Sequence, residues 1–339
     1  MEEINIKEEV YKCSKCGLCQ SVCPIFLALK NEMYLSRGRY NILNNFFNNN
    51  KPLSKKFIND LDICLNCNAC KNFCPSAIDS ALIFTLLKNK YYRPLFPFWL
   101  KFKLILIFNS IKKYFAKQPL YKITVQKSKN YAPVKKADVV YFQGCFNRYI
   151  NPSDKNSALN ILKQNGYNTV KVLNNCCGLP FLSDGSLKKF EKNSLKILKA
   201  IPKNVKYAVT SCDSCYKTLY DIFKTSDIEL IKLEDLIPNT GKTENTVFHK
   251  PFALEQYKGI LPVINKKGIC SLTENYFMFK HPDIAGKILE NVFYTQEELK
   301  EKTIVTSCNL TKWGLIECCK KKGINAEIYS LAEYYVQTN

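Results

Sequence analysis

The chain has 339 residues, of which 46% are hydrophobic and 23% charged, a composition ordinary for a folded protein of two or three domains. Lysine and arginine outnumber acidic residues by 50 to 29, for a formal charge of +21. That charge is nearly all lysine, and no zinc-finger, glycine-rich RNA-binding or basic-helix motif accompanies it. We therefore expect no nucleic-acid partner; an acidic protein subunit or an anionic membrane face would suit the positive surface.

Seventeen cysteines are the unusual feature of the composition. A long chain that opens with the acidic stretch MEEINIKEEV, not with an apolar leader, is expected in a reducing compartment, where thiolates serve as metal ligands. We expect a cytoplasmic protein, with or without peripheral contact with the inner membrane face. The apolar stretch PLFPFWLKFKLILIF (94–108) contains two lysines and is too short to span a bilayer. It predicts either a helix packed between domains or contact with a membrane surface.

Two cysteine runs near the N-terminus share the spacing C-x2-C-x2-C-x3-C-P, namely CSKCGLCQSVCP and CLNCNACKNFCP. This is the ligand pattern of paired [4Fe–4S] cubanes, in which the fourth cysteine of each run serves the other cluster. Zinc ribbons use pairs of cysteines and not triplets. The spacing therefore predicts one cubane held by Cys13, Cys16, Cys19 and Cys74, and a second held by Cys64, Cys67, Cys70 and Cys23.

The residues around these runs predict a helical ferredoxin-type domain. PIFLALKNEMYLSRGRYNILNNFF has apolar residues at mixed three- and four-residue steps, and SAIDSALIFTLLKNK opens with Ser76 and Asp79 as a capping box. The Asn-rich NNFFNNNKP (44–52) predicts a solvated loop. Two of the four arginines, Arg37 and Arg39, lie in SRGRY. We expect them either to donate to cluster sulfides or neighbouring backbone, or to form an exposed basic turn.

From residue 137 onwards, strand and helix patterns alternate. ADVVYFQG, NTVKVL and YAVTSC predict strands, and SDKNSALNILKQNG and SLKKFEKNSLKILKAI predict helices between them, which is typical of an α/β layered unit. The order then recurs, because TIVTSCNLT (303–311) resembles YAVTSCDSC (207–215). Cys212 and Cys308 are 96 residues apart, and Cys177 and Cys270 are 93 apart. These offsets predict a duplicated domain.

Cysteines of the first repeat fall at predicted strand ends, and they are Cys145, Cys176, Cys177, Cys212 and Cys215. Adjacent cysteines rarely bridge each other, and an α/β sheet gathers its ligands at the carboxyl ends of its strands. We therefore expect a sulfur-rich pocket in which each thiol of the adjacent pair binds a different iron, with Gly178 allowing close backbone approach. A structural zinc site, which needs four thiolates only, is the alternative.

The arrangement C…CCG…C-x-x-C is similar to the CCG-type cysteine-rich domain of heterodisulfide reductases. The whole layout resembles the iron–sulfur subunits of glycolate oxidases. The resemblance implies that the five strand-end cysteines hold a non-cubane [4Fe–4S] cluster. Together with the patterns above, it predicts an α + α/β fold with a helical bis-[4Fe–4S] domain at 1–90, an aromatic, basic helix and linker at 91–136, a first CCG lobe at 137–240 and a second CCG lobe at 241–339.

The second lobe departs from the family pattern. Phe252 replaces a cysteine, Cys270 stands alone in place of the CCG pair, and Thr311 replaces the last cysteine, although Cys308 remains. Two ligands cannot hold such a cluster, so we expect this lobe to be a structural partner that closes a cleft. The pair in IECCKKKG lies in a helix pattern and predicts thiols that are buried or merely tolerated.

Three functions are compatible with these features. The first is an electron-transfer subunit that passes electrons from a partner flavoprotein, oxidising a 2-hydroxy acid such as glycolate or lactate, through two [4Fe–4S] clusters to an acceptor. The absence of a nucleotide-binding motif and the presence of only two histidines favour it. The second is a catalytic disulfide or quinone reductase acting at the five-cysteine pocket. The third is a non-enzymatic scaffold with a zinc centre.

Overall fold

The structure is a computed structural model that describes residues 5–92, 97, 99–104, 137–224, 226–237, 245–249, 276–292 and 302–338. The chain divides into two compact units. Unit 1 consists of Met1–Phe98, Pro180–Leu187 and Lys266–Thr295, and unit 2 consists of Trp99–Leu179, Lys188–Asn265 and Gln296–Asn339. The predictions for the linker, for Phe252 and Cys270, and for most of the stretch 94–108 lie outside the described residues.

Helices occur in both units. In chain order they are α1 (Ile6–Tyr11), α2 (Cys19–Val22), α3 (Pro24–Leu29), α4 (Ser36–Asn49), α5 (Lys55–Asp60), α6 (Ala69–Asn72), α7 (Ser80–Tyr91), α8 (99–104), α9 (Gly144–Tyr149), α10 (Ser153–Gln164), α11 (Leu179–Ser183), α12 (Leu187–Ala200), α13 (Asp213–Phe223), α14 (Phe277–Lys280), α15 (Pro282–Val292), α16 (Asn309–Lys322) and α17 (Leu331–Thr338). Among the described helices, none has the length and apolar character needed to cross a membrane.

The described part of unit 1 is helical, and its main core lies between α1, α4, α5 and α7. The buried side chains of this core are Val10, Tyr40, Leu43, Phe57, Ile58, Leu61, Ile78, Ile83, Phe84 and Leu87. Cys13, Cys64 and Cys74 pack against it. The cysteine runs are therefore anchored to the core of the unit, although most of their residues lie in loops.

The start of α7 differs from the sequence prediction. The helix begins at Ser80, and Asp79 is its N-cap, with its side chain accepting from the backbone N–H of Leu82 at 3.0 Å. The capping box at Ser76 is wrong, because the Ser76 hydroxyl donates to the carbonyl oxygen of Lys12 at 3.0 Å. Ser76 thus connects the second cysteine run to the residue before the first one.

The Asn-rich segment also differs from the prediction of a loop, because α4 continues through it to Asn49. The helix is held there by tertiary contacts with α1. The Phe47 ring lies 6.4 Å from that of Tyr11, and the Tyr11 hydroxyl donates to Asn48 Oδ1 at 2.7 Å. Asn50 ends the helix in the left-handed conformation, with φ of 48°, a conformation that asparagine adopts more readily than most residues.

The described residues of unit 2 form two parallel sheets. The first has the order β2-β1-β3-β4 and the second the order β5-β6-β7. The strands are β1 (Val139–Phe142), β2 (Val170–Leu173), β3 (Tyr207–Thr210), β4 (Glu229–Lys232), β5 (Thr246–His249), β6 (Thr303–Thr306) and β7 (Glu327–Ser330). The predicted strands and the helices between them are confirmed, and every strand pairing in both sheets is parallel.

Residues from both halves of unit 2 share one core. Val139 and Tyr141 of β1 and Val209 of β3 pack with Ala332 and Tyr335 of α17, which follows β7. The apolar face of the first sheet is therefore covered in part by a helix that comes from the far end of the chain. This packing brings the loops after β3 and β6, where the C-x-x-C motif and its partial copy lie, into the same unit.

Candidate metal centres

The two N-terminal cysteine runs have the same local backbone. Lys15 and Gly17 in the first run have positive φ of 62° and 85°, and Asn66 and Asn68 at the equivalent places in the second have 55° and 59°. Left-handed residues after the first and second cysteines turn the chain twice within one motif. Short helices follow, α2 from Cys19 and α6 from the residue before the third cysteine, and these two helices pack together.

The fourth cysteine of the first run lies among the thiols of the second. Burial of its sulfur raises the pKa of Cys23 to about 12, and the charges of Cys64 and Cys70 act in the same direction. Burial likewise raises the pKa of Cys70, whose sulfur receives a hydrogen bond from the Ser36 hydroxyl at 3.4 Å. These thiols are protonated without metal, so cluster binding must displace their protons.

Arg39 is buried, so it does not form the exposed basic turn that was one of its two expected roles. Its Nη2 nitrogen donates to the carbonyl oxygens of Asp60, at 2.8 Å, and Ile63, and its guanidinium lies over the ring of Phe84. It therefore binds neighbouring backbone. Its Nη1 nitrogen is also buried and has no hydrogen-bond acceptor among the described residues, and the Arg39 charge opposes the raised pKa of Cys23.

Arg37 lies at the surface of the first run. Its side chain forms an ion pair with Glu32. Its backbone N–H donates to the sulfur of Cys19, and a side chain added at Gly17 would lie 2.6 Å from its Nη1. Only glycine therefore allows this loop and the arginine to pack as they do.

A buried ionic cluster, which we did not predict, lies close to the second run. Asp62 accepts from Lys280 at 2.7 Å and lies 3.4 Å from Lys88, and both lysines donate to the carbonyl oxygen of Ser183. Burial lowers the pKa of Lys88 to about 8. Although burial opposes it, the Lys280 charge holds the pKa of Asp62 well below its ordinary range. This cluster joins all three segments of unit 1.

In unit 2 the strand-end cysteines form one continuous series of thiol contacts. Cys145 lies at the start of α9 after β1, the adjacent pair follows β2, and Cys212 and Cys215 begin α13 after β3. Hydrogen bonds connect the sulfurs in the order Cys145, Cys176, Cys177, Cys215, Cys212 and Cys308. All of these cysteines except Cys176, which is half-buried, are buried.

The last member of this series, Cys308, was excluded from the site by sequence reasoning. It follows β6, and its sulfur lies 4.0 Å from that of Cys212. The second lobe was expected to be a structural partner of the site, and the structure adds that one of its thiols reaches Cys212. The 96-residue offset was the available signal, because equivalent strand ends of two repeats can face each other. Cys319, also expected to be buried, is buried in α16.

The contacts make Cys212 the most acidic thiol of the series. S–H donation from Cys215 and Cys308 holds the pKa of Cys212 well below its ordinary value, and backbone N–H groups at the start of α13 act in the same direction. Contacts with Cys177 and Cys212 raise the pKa of Cys215 well above the ordinary value. The two S–H donors thus stabilise Cys212 as a thiolate, the form that binds metal.

Two glycines shape this site, and only one approaches the thiols. A side chain at Gly144, which has φ of +74°, would lie 3.0 Å from the sulfur of Cys215. Gly178 has φ of +99°, and a side chain there would meet the ring of Phe190 at 2.7 Å. At Gly178 the close neighbour of the backbone is therefore an aromatic ring. The glycine whose backbone lies close to a sulfur is Gly144.

A buried polar network, which sequence reasoning missed, supports the strand ends. The Asp154 carboxylate accepts from Asn147 at 2.9 Å, from Ser211 at 2.5 Å and from Ser330 at 2.7 Å. Burial raises the pKa of Asp154 to about 6. Ser211 precedes Cys212 and Ser330 ends β7, so one carboxylate fixes loops of both sheets. Within the described stretches, no three His, Cys, Asp or Glu side chains converge where one metal ion would bind.

Comparison with known proteins places both sets of cysteines in named domains. Residues 9–78 match the 4Fe-4S dicluster domain, and residues 139–220 match the cysteine-rich domain called CCG. These two matches support the resemblance to CCG-domain iron–sulfur proteins. It is 33% identical over 66 residues to the glycolate oxidase iron-sulfur subunit of Escherichia coli (strain K12). That match covers 20% of this chain and 16% of the relative, so the likeness is confined to a small part of each protein.

Proposed function

We propose that the chain is the iron–sulfur electron-transfer subunit of an oxidoreductase, with two [4Fe–4S] clusters in unit 1. The ligands of one cluster are Cys13, Cys16, Cys19 and Cys74, and those of the other are Cys64, Cys67, Cys70 and Cys23. The main support is the position of Cys23, which lies close to Cys64 and Cys70 of the other run. Exchange of the fourth cysteine is the arrangement of two-cluster ferredoxins.

The residues around these thiols fit a cluster. Four cysteine thiolates are the donor set that each [4Fe–4S] cluster uses. The free Nη1 of Arg39 would supply an N–H to the sulfides of the cluster held by Cys23. The Ser36 hydroxyl at Cys70 and the Arg37 N–H at Cys19 would do the same for ligand sulfurs. Such donors raise the reduction potential because they stabilise the more negative state.

When bound, the clusters supply one-electron transfer. The residues of this chain then determine the potential and exclude water. The core of unit 1 packs against Cys13, Cys64 and Cys74. Cys16 is exposed, so the first run is accessible to an electron donor or acceptor. In this proposal the chain transfers electrons, and a partner carries out the chemistry on the substrate.

We propose a third iron–sulfur group at the strand ends of unit 2, held by Cys145, Cys176, Cys177, Cys212 and Cys215. The support is the unbroken series of sulfur contacts, since a single tetrahedral zinc ion would use only four of these thiolates.

The domain limits at 90, 136 and 240 remain part of this proposal. So does duplication of the two lobes, which is supported by β5-β6-β7 repeating the parallel order of β1-β3-β4.

The proposed electron donor is a flavoprotein that oxidises a 2-hydroxy acid such as glycolate or lactate. Its support is the relative's name and the absence of a nucleotide-binding motif in this sequence. An acidic surface on that partner would suit the charge of +21. A cytoplasmic location, with or without contact with an anionic membrane face, is part of the same proposal.

A second candidate function is reduction of a disulfide or quinone at the strand-end group. The complete set of five strand-end cysteines in the first lobe favours it, because that group would then be the reacting centre. The two functions are compatible, since clusters of unit 1 could supply the electrons.

The proposal is tested by gentle anaerobic purification of the tagged chain from its native cells. We expect a flavoprotein to co-purify and, when given its hydroxy acid, to bleach the cluster absorbance of this chain. A Cys70→Ser chain should still bind the flavoprotein but accept fewer electrons. Recovery of no flavoprotein, or a flavoprotein that leaves the clusters oxidised, would contradict the electron-transfer role.

A further inference from the structure

Cys308 and Cys212 occupy equivalent places in the two halves of unit 2. Each follows a central strand and precedes a helix, Cys212 with φ and ψ of −130° and 114°, and Cys308 with −126° and 117°. Both are preceded by serine. The two sulfurs nevertheless meet at one point, 4.0 Å apart, and Cys308 is only 1% exposed.

Neighbouring polar contacts hold the two loops against each other. The Ser307 hydroxyl donates to the Asp213 carboxylate, so the residue before one cysteine binds the residue after the other. Ser214 lies 3.5 Å from the sulfur of Cys308. Asn151 donates to Asn309 at 2.5 Å. Contacts on several sides thus fix Cys308 in the direction of Cys212.

We propose that Cys308 is a sixth thiolate of the strand-end site and that it binds the same metal atom as Cys212. This inference rests on the proposed metal group at the strand ends. Two thiolates bound to one tetrahedral metal at about 2.3 Å have sulfurs about 3.8 Å apart, close to the observed 4.0 Å. A disulfide would require an S–S distance of about 2.05 Å, far shorter than the separation seen.

The site is therefore formed by both halves of unit 2. Metal binding at Cys308 replaces its S–H proton with a sulfur–metal bond and releases the proton. In the second half Thr311 stands where a C-x-x-C motif would have its last cysteine, so this half lacks part of such a set but, among the described residues, has a thiol that faces Cys212. The loss of other ligands and the retention of Cys308 are both explained by a single shared group.

The test compares Cys308→Ser with the matched control Cys319→Ser. Cys319 is also buried and lies on α16, eleven residues further on and hence about 16 Å away along the helix. Each full-length protein is reconstituted anaerobically with ferrous iron and sulfide, and electron paramagnetic resonance and Mössbauer spectra are recorded. We expect Cys308→Ser to alter or abolish the signal of the strand-end group and leave the cubane signals intact, whereas Cys319→Ser changes neither.

A second readout does not depend on a variant. Thiol alkylation followed by mass spectrometry compares the metal-free and the loaded wild-type chain. Protection of Cys308 on loading, in parallel with Cys212 and absent at Cys319, supports the inference. An unchanged strand-end signal in Cys308→Ser, or no added protection at Cys308, overturns it and leaves the proposed function standing. Cubane signals alone in the wild-type chain would contradict both the role of Cys308 as a ligand and the proposal of a third iron–sulfur group.

Discussion

The two sets of cysteines differ in how the chain brings them together. The eight cysteines of unit 1 lie in two short motifs, and all are half-buried except Cys16, which is exposed. The six strand-end thiols of unit 2 come from four loops along the chain, and only Cys176 is not buried. In the first set local backbone conformation positions the thiols, whereas in the second set sheet topology positions them. The more accessible cysteines of unit 1 suit exchange of electrons with a partner. The buried cysteines of unit 2 suit a metal group that is protected from solvent.

The largest effect is expected from losing a ligand of unit 1. In Cys70→Ser, one cubane should not assemble, and the iron content should fall by one cluster while the strand-end group remains. Because the motifs have little structure beyond two turns and short helices, metal binding contributes directly to folding there. Thermal unfolding monitored by circular dichroism should show an early loss of helix. Full iron content in this variant would contradict the ligand assignment.

The next effect concerns the buried ionic cluster of unit 1. Asp62→Asn leaves Lys88 and Lys280 without their shared carboxylate, and breaking a buried pair costs about 3–5 kcal/mol. The matched control is Asp60→Asn two residues earlier, whose partner Lys56 is mostly exposed, and which should cost less than about 1 kcal/mol. Urea unfolding measures both. Equal losses would show that the cluster does not hold the three segments together.

The stability of unit 2 should depend on pH through two opposing contributions, from Asp154 and from His249. Burial raises the pKa of Asp154 to about 6, so its contribution to stability is lost as pH rises from about 4 to 6. Burial lowers the pKa of His249 to about 4, so its contribution is lost as pH falls from about 6.5 to 4. Each amounts to about 3 kcal/mol.

Single variants separate these contributions in urea unfolding of the metal-free chain between pH 4 and 6.5. In Asp154→Asn, stability should rise more steeply with pH than in the wild type, because the opposing contribution of Asp154 is removed. In His249→Gln, it should fall with rising pH. Parallel curves for all three proteins would refute the assignment of these two groups.

The smallest effect is expected at the start of α7. Asp79→Ala removes the N-cap and should cost about 1 kcal/mol, whereas Ser76→Ala, at the position first predicted as the cap, should cost less than about 0.5 kcal/mol. Asp79 also pairs with Lys71 at 2.9 Å. Asp79→Asn keeps the cap without that charge and should behave like the wild type. A loss as large as that of alanine would assign the effect to the ion pair.

The sequence predicts those features that depend on neighbouring residues. The cysteine runs and the alternation of strands and helices are local patterns, and the described strands follow them. The Asn-rich end of α4 was missed because contacts with Tyr11 stabilise it against the low helix propensity of asparagine. Cys308 and Lys280 were missed because their partners, Cys212 and Asp62, lie far away along the chain and are brought near only by folding.

We propose that two kinds of iron–sulfur site coexist in this chain. Anaerobic quantification of iron, sulfide and zinc in the reconstituted wild type and in Cys177→Ser, with electron paramagnetic resonance of both, tests this proposal. We expect about twelve irons in the wild type and about eight in the variant, with both cubane signals kept. About eight irons in both proteins, with or without zinc, would contradict it and leave unit 2 without a cluster.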